Sequence, residues 1–287
     1  MPVLVSPAEG QDFGARITRV LAANPLCVGI DPHAELLADW GLDDTPEGIR
    51  EFSLRAVRAC AAGGVGVIKP QSAFYERHGS RGVAVLEETL AAATEAGILT
   101  VLDVKRGDIG STMEGYAAAY MDPSSPLSAD AVTLSPYLGV GSLEPAFAAS
   151  EEFGTGIYVL ALTSNPDGPQ VQHATTTAGN PVAAEVAAGV AEFNARVGSP
   201  RAGLVVGATI GDAAGRLGID LGGLGCTFLA PGFGAQGATV EDLHAVFGAA
   251  WSDHRVLVNT SRGVLGHGPS TEGMTSEITR LHGVLGE

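Results

Sequence analysis

Short apolar runs rich in Val, Ile and Leu alternate along the chain with longer stretches whose apolar residues recur every three or four positions. This alternation predicts repeated units of a buried strand followed by an amphipathic helix. The predicted strands comprise residues 26 to 31, 64 to 69, 98 to 103, 129 to 135, 156 to 162, 203 to 208, 226 to 231 and 255 to 260. An open doubly wound sheet would show the same local pattern, so the number of strands is what favours a closed (β/α)₈ TIM barrel, an α/β fold.

Two further signals refine this prediction. An additional helix is expected before the first strand, where it would pack against the bottom of the barrel; its apolar positions are Phe13, Ile17, Val20 and Leu21. The stretch from Thr163 to Asn180 is long and polar compared with the other connections, and it is a candidate lid. No linker or low-complexity segment divides the chain, so residues 1–287 are expected to form one catalytic domain.

Composition restricts the possible partners. The formal net charge of −16 argues against a nucleic-acid or anionic membrane surface, and any anionic ligand must therefore meet a local cluster of basic residues. The three cysteines form no Cys-x-x-Cys pair, so neither a disulfide framework nor a zinc site is indicated. Without a secretory or membrane-spanning pattern, the chain is expected to be soluble and cytoplasmic.

Charged residues follow the second and third predicted strands. Asp103 and Lys105 are two positions apart and would point to the same face, while Lys69 ends the strand before them. These residues could form a structural salt bridge at the barrel mouth, because burying unpaired ions costs several kcal/mol. With Asp108, however, they predict two alternating pairs, Lys69 with Asp103 and Lys105 with Asp108. Lys105 would then stay protonated and act as a proton donor.

Asp108 could alternatively cap the following helix. The segment from Ser111 to Glu114 has the sequence of a capping box, which would place the cap at Ser111 and leave Asp108 for another role.

The residues after the last two strands predict a phosphate-binding site. Gly232 to Gly237 forms a glycine-rich turn after the seventh strand, and Arg262 follows the eighth. Barrels bind phosphate at these loops, so Arg262 is predicted to be a bidentate phosphate clamp rather than part of a surface salt bridge.

Two other strand ends could contact the rest of a ligand. At the end of the first strand, Asp31 could accept hydrogen bonds from sugar hydroxyls. Ser164 and Asn165 could contact a base edge, although polar residues are common in loops.

These residues together resemble the orotidine 5′-monophosphate (OMP) decarboxylase family from Asp31 to Arg262. The segment D-V-K-R-G-D-I-G-S-T, which starts at Asp103, is similar to the family signature. The Arg-Gly pair inside it resembles the sequences of the longer bacterial subgroup. Gly110 departs from the commoner pattern, which has proline there. The resemblance implies decarboxylation of OMP to uridine 5′-monophosphate (UMP) in pyrimidine biosynthesis, with Lys105 protonating the pyrimidine carbon that loses carbon dioxide.

The resemblance also implies roles for the other residues. Lys69, Asp103, Lys105 and Asp108 match the charged catalytic network, whereas Asp108, Ile109 and Thr112 match positions that the family lends to the neighbouring subunit of a homodimer. The expected substrate contacts are Asp31 for the ribose, Ser164 for the pyrimidine, and Gly234, Gln236 and Arg262 for the phosphate.

No cofactor or metal is expected, because no nicotinamide, pyridoxal or paired metal-ligand motif is found in the sequence. Two alternatives remain at this point. A magnesium-dependent sugar-phosphate decarboxylase or aldolase of the same barrel superfamily would share the Asp-x-Lys-x-x-Asp strand end, but Lys69 would repel the cation. A non-catalytic phosphosugar-binding barrel would use the same charges only to stabilise its rim.

Overall fold

A computed structural model describes residues 11–234 and 237–286. Eight parallel strands pair in sequence order, and the eighth pairs with the first, so the sheet closes into a barrel as predicted. The strands are β1 Leu26–Ile30, β2 Val67–Pro70, β3 Leu99–Arg106, β4 Ala131–Leu134, β5 Gly156–Leu162, β6 Ala202–Val206, β7 Phe228–Pro231 and β8 Val256–Thr260. Nearly all of their residues are buried, as parallel strands covered by helices require.

Helices follow the strands and cover the barrel. They are α1 Phe13–Ala23, α2 Ala34–Asp39, α3 Pro46–Gly63, α4 Ala73–Glu76, α5 Gly79–Glu95, α6 Gly110–Met121, α7 Glu144–Phe153, α8 Pro169–Gln172, α9 Val182–Val197, α10 Ala213–Arg216, α11 Val240–Phe247, α12 Ala249–Ser252, α13 Arg262–Leu265 and α14 Thr271–Leu285. A 3₁₀ turn, Val140–Leu143, precedes α7. None of the helices in the described ranges is both long and apolar enough to cross a bilayer.

The additional helix α1 closes the amino-terminal end of the barrel, as predicted. Its apolar positions are buried together with the inward side chains of the strands in one cluster. Phe13 meets Tyr158 edge-on, with ring centroids 6.1 Å apart, and it occupies the space that a side chain at Gly156 would need. Because this end is filled, a ligand can enter the barrel only at the carboxyl ends of the strands.

The start of α6 differs from the prediction. The helix begins at Gly110, with Ile109 at its N-cap and no side-chain cap, so the predicted capping box at Ser111 is wrong. Gly110 has a φ of +50°, which only glycine adopts readily, and the helix begins at this residue, two positions before the predicted start. Asp108 instead accepts a hydrogen bond from the backbone N–H of Ile109 at 2.8 Å.

Candidate active site

A cavity of about 570 Å³ lies at the carboxyl ends of the strands, as expected for a barrel enzyme. Five of the predicted site residues line it together: Asp31, Lys69, Asp103, Lys105 and Ser164. Asn165, the second predicted loop residue, is also in the wall. A larger cavity of about 1060 Å³ lies beside α11 and α14, but the lysines and the buried aspartate converge in the smaller one.

Both ammonium groups contact one carboxylate. The Nζ atom of Lys69 lies 2.9 Å from Oδ2 of Asp103, and the Nζ atom of Lys105 lies 2.6 Å from Oδ1. Lys69 and Asp103 are almost fully buried, whereas the side chain of Lys105 is 46% exposed at the cavity mouth. These two residues are the only lysines among the 287 residues. A chain that otherwise uses arginine therefore places a lysine only where this carboxylate can be reached.

The environment fixes the charges of the buried pair. Burial by itself would raise the pKa of Asp103, but the nearby ammonium groups of Lys69 and Lys105 outweigh it and hold that pKa well below its usual range. Burial would likewise lower the pKa of Lys69, yet the negative charges of Asp103 and Asp31 outweigh it and raise that pKa. Both groups are therefore ionised at neutral pH.

The second predicted charge pair does not form within the chain. Asp108 makes no ion pair with a described residue, and Lys105 turns to Asp103 instead. Ile109 and Thr112 are exposed and, like Asp108, lie outside the wall of the cavity. The reason for the difference is the backbone of β3, which leaves regular strand geometry before Asp108. Lys105 has a φ of +44°, and the pairing register with β4 shifts between Leu102 and Arg106.

The predicted phosphate residues lie at the ends of β7 and β8. Gly234 has a φ of +72° and lines the larger cavity with Gly263, the neighbour of Arg262; both glycines face the hydroxyl of Thr260. Arg262 is exposed and pairs with no acid in the described ranges, so the alternative of a surface salt bridge is not seen. Gln236 lies outside the described residues.

Asp31 has an oxygen without a partner. Its Oδ1 atom is buried and makes no hydrogen bond with the described residues, although it lies in the cavity wall. Leaving a buried carboxylate oxygen unpaired is costly, so this atom is suited to a ligand that donates a hydrogen bond.

Other residues of the site were missed at the sequence level. Gln71 contacts Lys69 at 3.4 Å and donates to the backbone oxygen of Asp103 at 3.2 Å, and Asn259 lines the cavity from β8. Both are polar residues at a strand end, which is the signal that could have identified them. Gln172 of α8 folds back, accepts from the backbone N–H of Thr163 at 2.9 Å and lines the cavity. Its position depends on the folding of the predicted lid, and nothing in the sequence marks it.

The described ranges contain no group of three or more His, Cys, Asp or Glu residues placed to hold a metal ion. The acids of the cavity wall are Asp31 and Asp103, and both lysine ammonium groups contact Asp103.

Known proteins resemble this chain over nearly its full length. The model of the orotidine 5′-phosphate decarboxylase / HUMPS family matches residues 24–274. The sequence is 53% identical over 275 residues to the orotidine 5′-phosphate decarboxylase of Streptomyces coelicolor, covering 94% of this chain and 96% of the relative. The corresponding enzyme of Salinispora arenicola is 52% identical with the same coverage.

Solved structures agree with the sequence comparison. A candidate orotidine 5′-phosphate decarboxylase from Streptomyces avermitilis has a TM-score of 0.89 and 52% identity, covering 96% of this chain and 95% of the other. The OMP decarboxylase of Leishmania donovani has a TM-score of 0.75 and 29% identity, with 96% and 99% covered. This chain therefore belongs to the orotidine 5′-phosphate decarboxylase / HUMPS family.

Proposed function

We propose that this protein decarboxylates OMP to UMP and carbon dioxide, with Lys105 as the proton donor. The observation that carries the proposal is the single buried carboxylate of Asp103, held by the only two lysines at the open end of the barrel. Relatives named orotidine 5′-phosphate decarboxylase at about 50% identity support it. They favour it over the sugar-phosphate alternative, which the family model by itself does not separate.

The proposed chemistry follows from these charges. The bond between the pyrimidine ring and its carboxylate breaks, carbon dioxide leaves, and the electron pair remains on the ring carbon. Lys105 stabilises this carbanion and transfers a proton from Nζ to the same carbon, giving UMP. An ammonium already held in place by Asp103 stabilises the developing charge without reorganising.

The rest of the nucleotide would bind along the mouth of the barrel. Asp31 accepts hydrogen bonds from the ribose with its unpartnered oxygen, and Ser164 contacts the pyrimidine. Gly234, Gln236 and Arg262 bind the phosphate. This contact is remote from the reacting carbon, so its binding energy can order the loops around the substrate.

We also propose that two copies share their active sites. Asp108 makes no ion pair within residues 11–234 and 237–286, and Ile109 beside it is 62% exposed. In the next loop, Tyr137 and Leu138 are 76% and 52% exposed. The two loops touch, since Ser135 donates to the backbone oxygen of Arg106 at 2.7 Å. Large exposed apolar side chains at one place are typical of an interface, so a second copy would bring Asp108, Ile109 and Thr112 to the neighbouring site.

The proposed setting is the cytoplasm, where the whole chain would act as one catalytic domain. All three cysteines are free and buried, which suits a reducing compartment.

The test is ultraviolet monitoring of OMP consumption with a chelator present. The wild type is expected to turn over, whereas Lys105→Ala is expected to lose decarboxylation by several orders of magnitude and still bind UMP, because the phosphate residues lie on other strands. Arg262→Ala is the matched variant, in which UMP binding weakens. Near-normal turnover of Lys105→Ala would contradict its role. UMP binding by a wild type that never decarboxylates OMP would favour the non-catalytic barrel, and a requirement for magnesium would favour the sugar-phosphate enzyme.

A further inference from the structure

The hydroxyl of Thr133, on β4, joins the two central residues of the site. Its Oγ1 atom donates a hydrogen bond to Oδ1 of Asp103 at 2.7 Å and accepts one from the backbone N–H of Lys105 at 2.9 Å. The residue is 1% exposed and does not line the cavity. A hydroxyl has one proton to donate and lone pairs to accept, so a single atom serves both contacts.

The second of these contacts replaces a bond of the sheet. Val101 pairs with Ala131 and Leu102 with Val132, but the next pair joins Arg106 to Leu134. Three residues of β3, from 103 to 105, therefore stand opposite Thr133 alone. The backbone N–H of Lys105 has left the regular ladder, and the hydroxyl of Thr133 accepts its hydrogen bond in place of a carbonyl.

The backbone at Lys105 needs this support. A φ of +44° is unfavourable for a residue with a long side chain, and such a conformation persists only where its surroundings hold it. Regular strand geometry at Lys105 would change the direction of its side chain. The conformation, and with it the approach of Nζ to Asp103, is therefore coupled to the contact with β4.

Simple packing does not explain a hydroxyl at this position. The other residues of β4 are Ala131, Val132 and Leu134, and valine would fill the space of Thr133 with nearly the same shape. A buried hydroxyl is tolerated only when it is hydrogen-bonded, and both bonds of this one go to site residues. Asp103 otherwise receives its hydrogen bonds from two long lysine side chains. Thr133, by contrast, is β-branched and stiff.

We propose that Thr133 is a positioning residue for decarboxylation, which fixes the carboxylate of Asp103 and the backbone of Lys105 relative to each other. This inference rests on the proposed function. Thr133 acts through Asp103 and Lys105 and touches no substrate itself. Its removal should therefore slow the chemical step and leave nucleotide binding unchanged.

The first test compares three variants. Thr133→Val, which removes the hydroxyl at nearly constant shape, is expected to lower kcat by ~10- to 100-fold, because a small misplacement of a reacting group has this effect. The KM for OMP and the Kd for UMP should stay within about twofold of the wild type. Thr133→Ser, which keeps the hydroxyl, should recover most of kcat. Thr227→Val is the matched control, since its buried hydroxyl donates to Tyr158 at 3.1 Å, away from the cavity. A Thr133→Val variant with wild-type kcat would refute the proposal.

The second test reads the lysines directly. Protein that is isotopically labelled only in its lysine side chains gives two side-chain signals in an NMR spectrum, because the chain has two lysines. The Lys105 signal should move in Thr133→Val and return in Thr133→Ser, whereas Thr227→Val should leave it in place. An unchanged Lys105 signal in Thr133→Val would count against Thr133, even if the wild type showed no turnover and the proposed function itself failed. Should Thr133→Val not fold, Thr133→Ala carries the same expectations.

Discussion

At the scale of single residues, the site depends on one carboxylate that contacts two ammonium groups. Asp103 is buried and accepts hydrogen bonds from Lys69, Lys105 and Thr133. Asp31 also lies in the cavity wall, so two carboxylates balance the two ammonium groups, and the ammonium group of Lys105 is the one exposed at the mouth. An ammonium group placed there suits a reaction in which negative charge develops on a carbon atom.

Removing that carboxylate is expected to be costly. Asp103→Asn leaves the buried ammonium of Lys69 without its main partner. The free energy of unfolding should therefore fall by about 3–5 kcal/mol. Asp44→Asn is the control, because Asp44 pairs with Arg77 at the surface and its loss should change stability by at most about 1 kcal/mol. Urea denaturation at pH 7 measures both. Equal effects of the two substitutions would contradict a buried network.

The pH dependence of stability has a definite sign. The pKa of Asp103 is lowered by folding, so its contribution is fully present above the ordinary aspartate pKa of about 3.9 and is lost as the pH falls toward the lowered value. The pKa of Lys69 is raised, so its contribution is present below the ordinary lysine pKa and is lost only as the pH rises through the raised value. Between about pH 5 and 3 the wild type should therefore lose stability more steeply than Asp103→Asn does. If the stability of the wild type and of Asp103→Asn fell equally steeply with pH, the ammonium groups would not be lowering the pKa of Asp103.

At the scale of the elements, the helix α1 decides which end of the barrel is open. Phe13, Ile17, Val20 and Leu21 fill the amino-terminal end, and Phe13 occupies the space above Gly156. The carboxyl end is instead lined by charged and polar groups. Each strand therefore runs from an apolar plug to a polar mouth.

This division predicts that α1 contributes to stability and not to catalysis. Phe13→Ala should lower the free energy of unfolding by about 3–5 kcal/mol, since Gly156 has no side chain to fill the cavity that remains. Val171→Ala, at an exposed position of the predicted lid, should change the free energy of unfolding by less than about 0.5 kcal/mol. Denaturation midpoints check both. A folded Phe13→Ala variant with a strongly reduced kcat would contradict this prediction, because it would show that the amino-terminal end of the barrel affects catalysis.

At the scale of the whole molecule, a single chain holds only part of the proposed site. Lys69, Asp103 and Lys105 are assembled within one barrel, whereas Asp108, Ile109 and Thr112 lie outside its cavity. The exposed apolar residues of the same loops indicate where a second copy would dock.

Mixing inactive subunits tests this arrangement. Lys105→Ala and Asp108→Ala proteins should each be inactive, but a mixed dimer has one site with both residues intact, so about a quarter of the wild-type activity should return after random exchange. Each variant alone, taken through the same exchange procedure, is the control. Absence of recovery once subunit exchange has been demonstrated would contradict shared sites.

The sequence by itself determined the barrel, the plugging helix and the charged residues in the cavity. Strand and helix periodicities are local, and parallel strands in a closed sheet must bring their carboxyl ends together. Asp31, Lys69, Asp103, Lys105 and Ser164 could therefore be grouped from their positions alone. Strand limits differed by a few residues, as at β2, where the left-handed Gly64 ends α3 and the strand starts only at Val67.

Only the tertiary structure decided how the charges pair. The predicted pair of Lys69 with Asp103 is present, but the predicted pair of Lys105 with Asp108 assumed a regular strand. The pairing register of β3 with β4 shifts there, and Lys105 contacts Asp103 instead. Within that shift the backbone N–H of Lys105 donates to Thr133, a residue 28 positions after Lys105. Local patterns carry no information about such a register, because it is set by the pairing of residues distant in sequence.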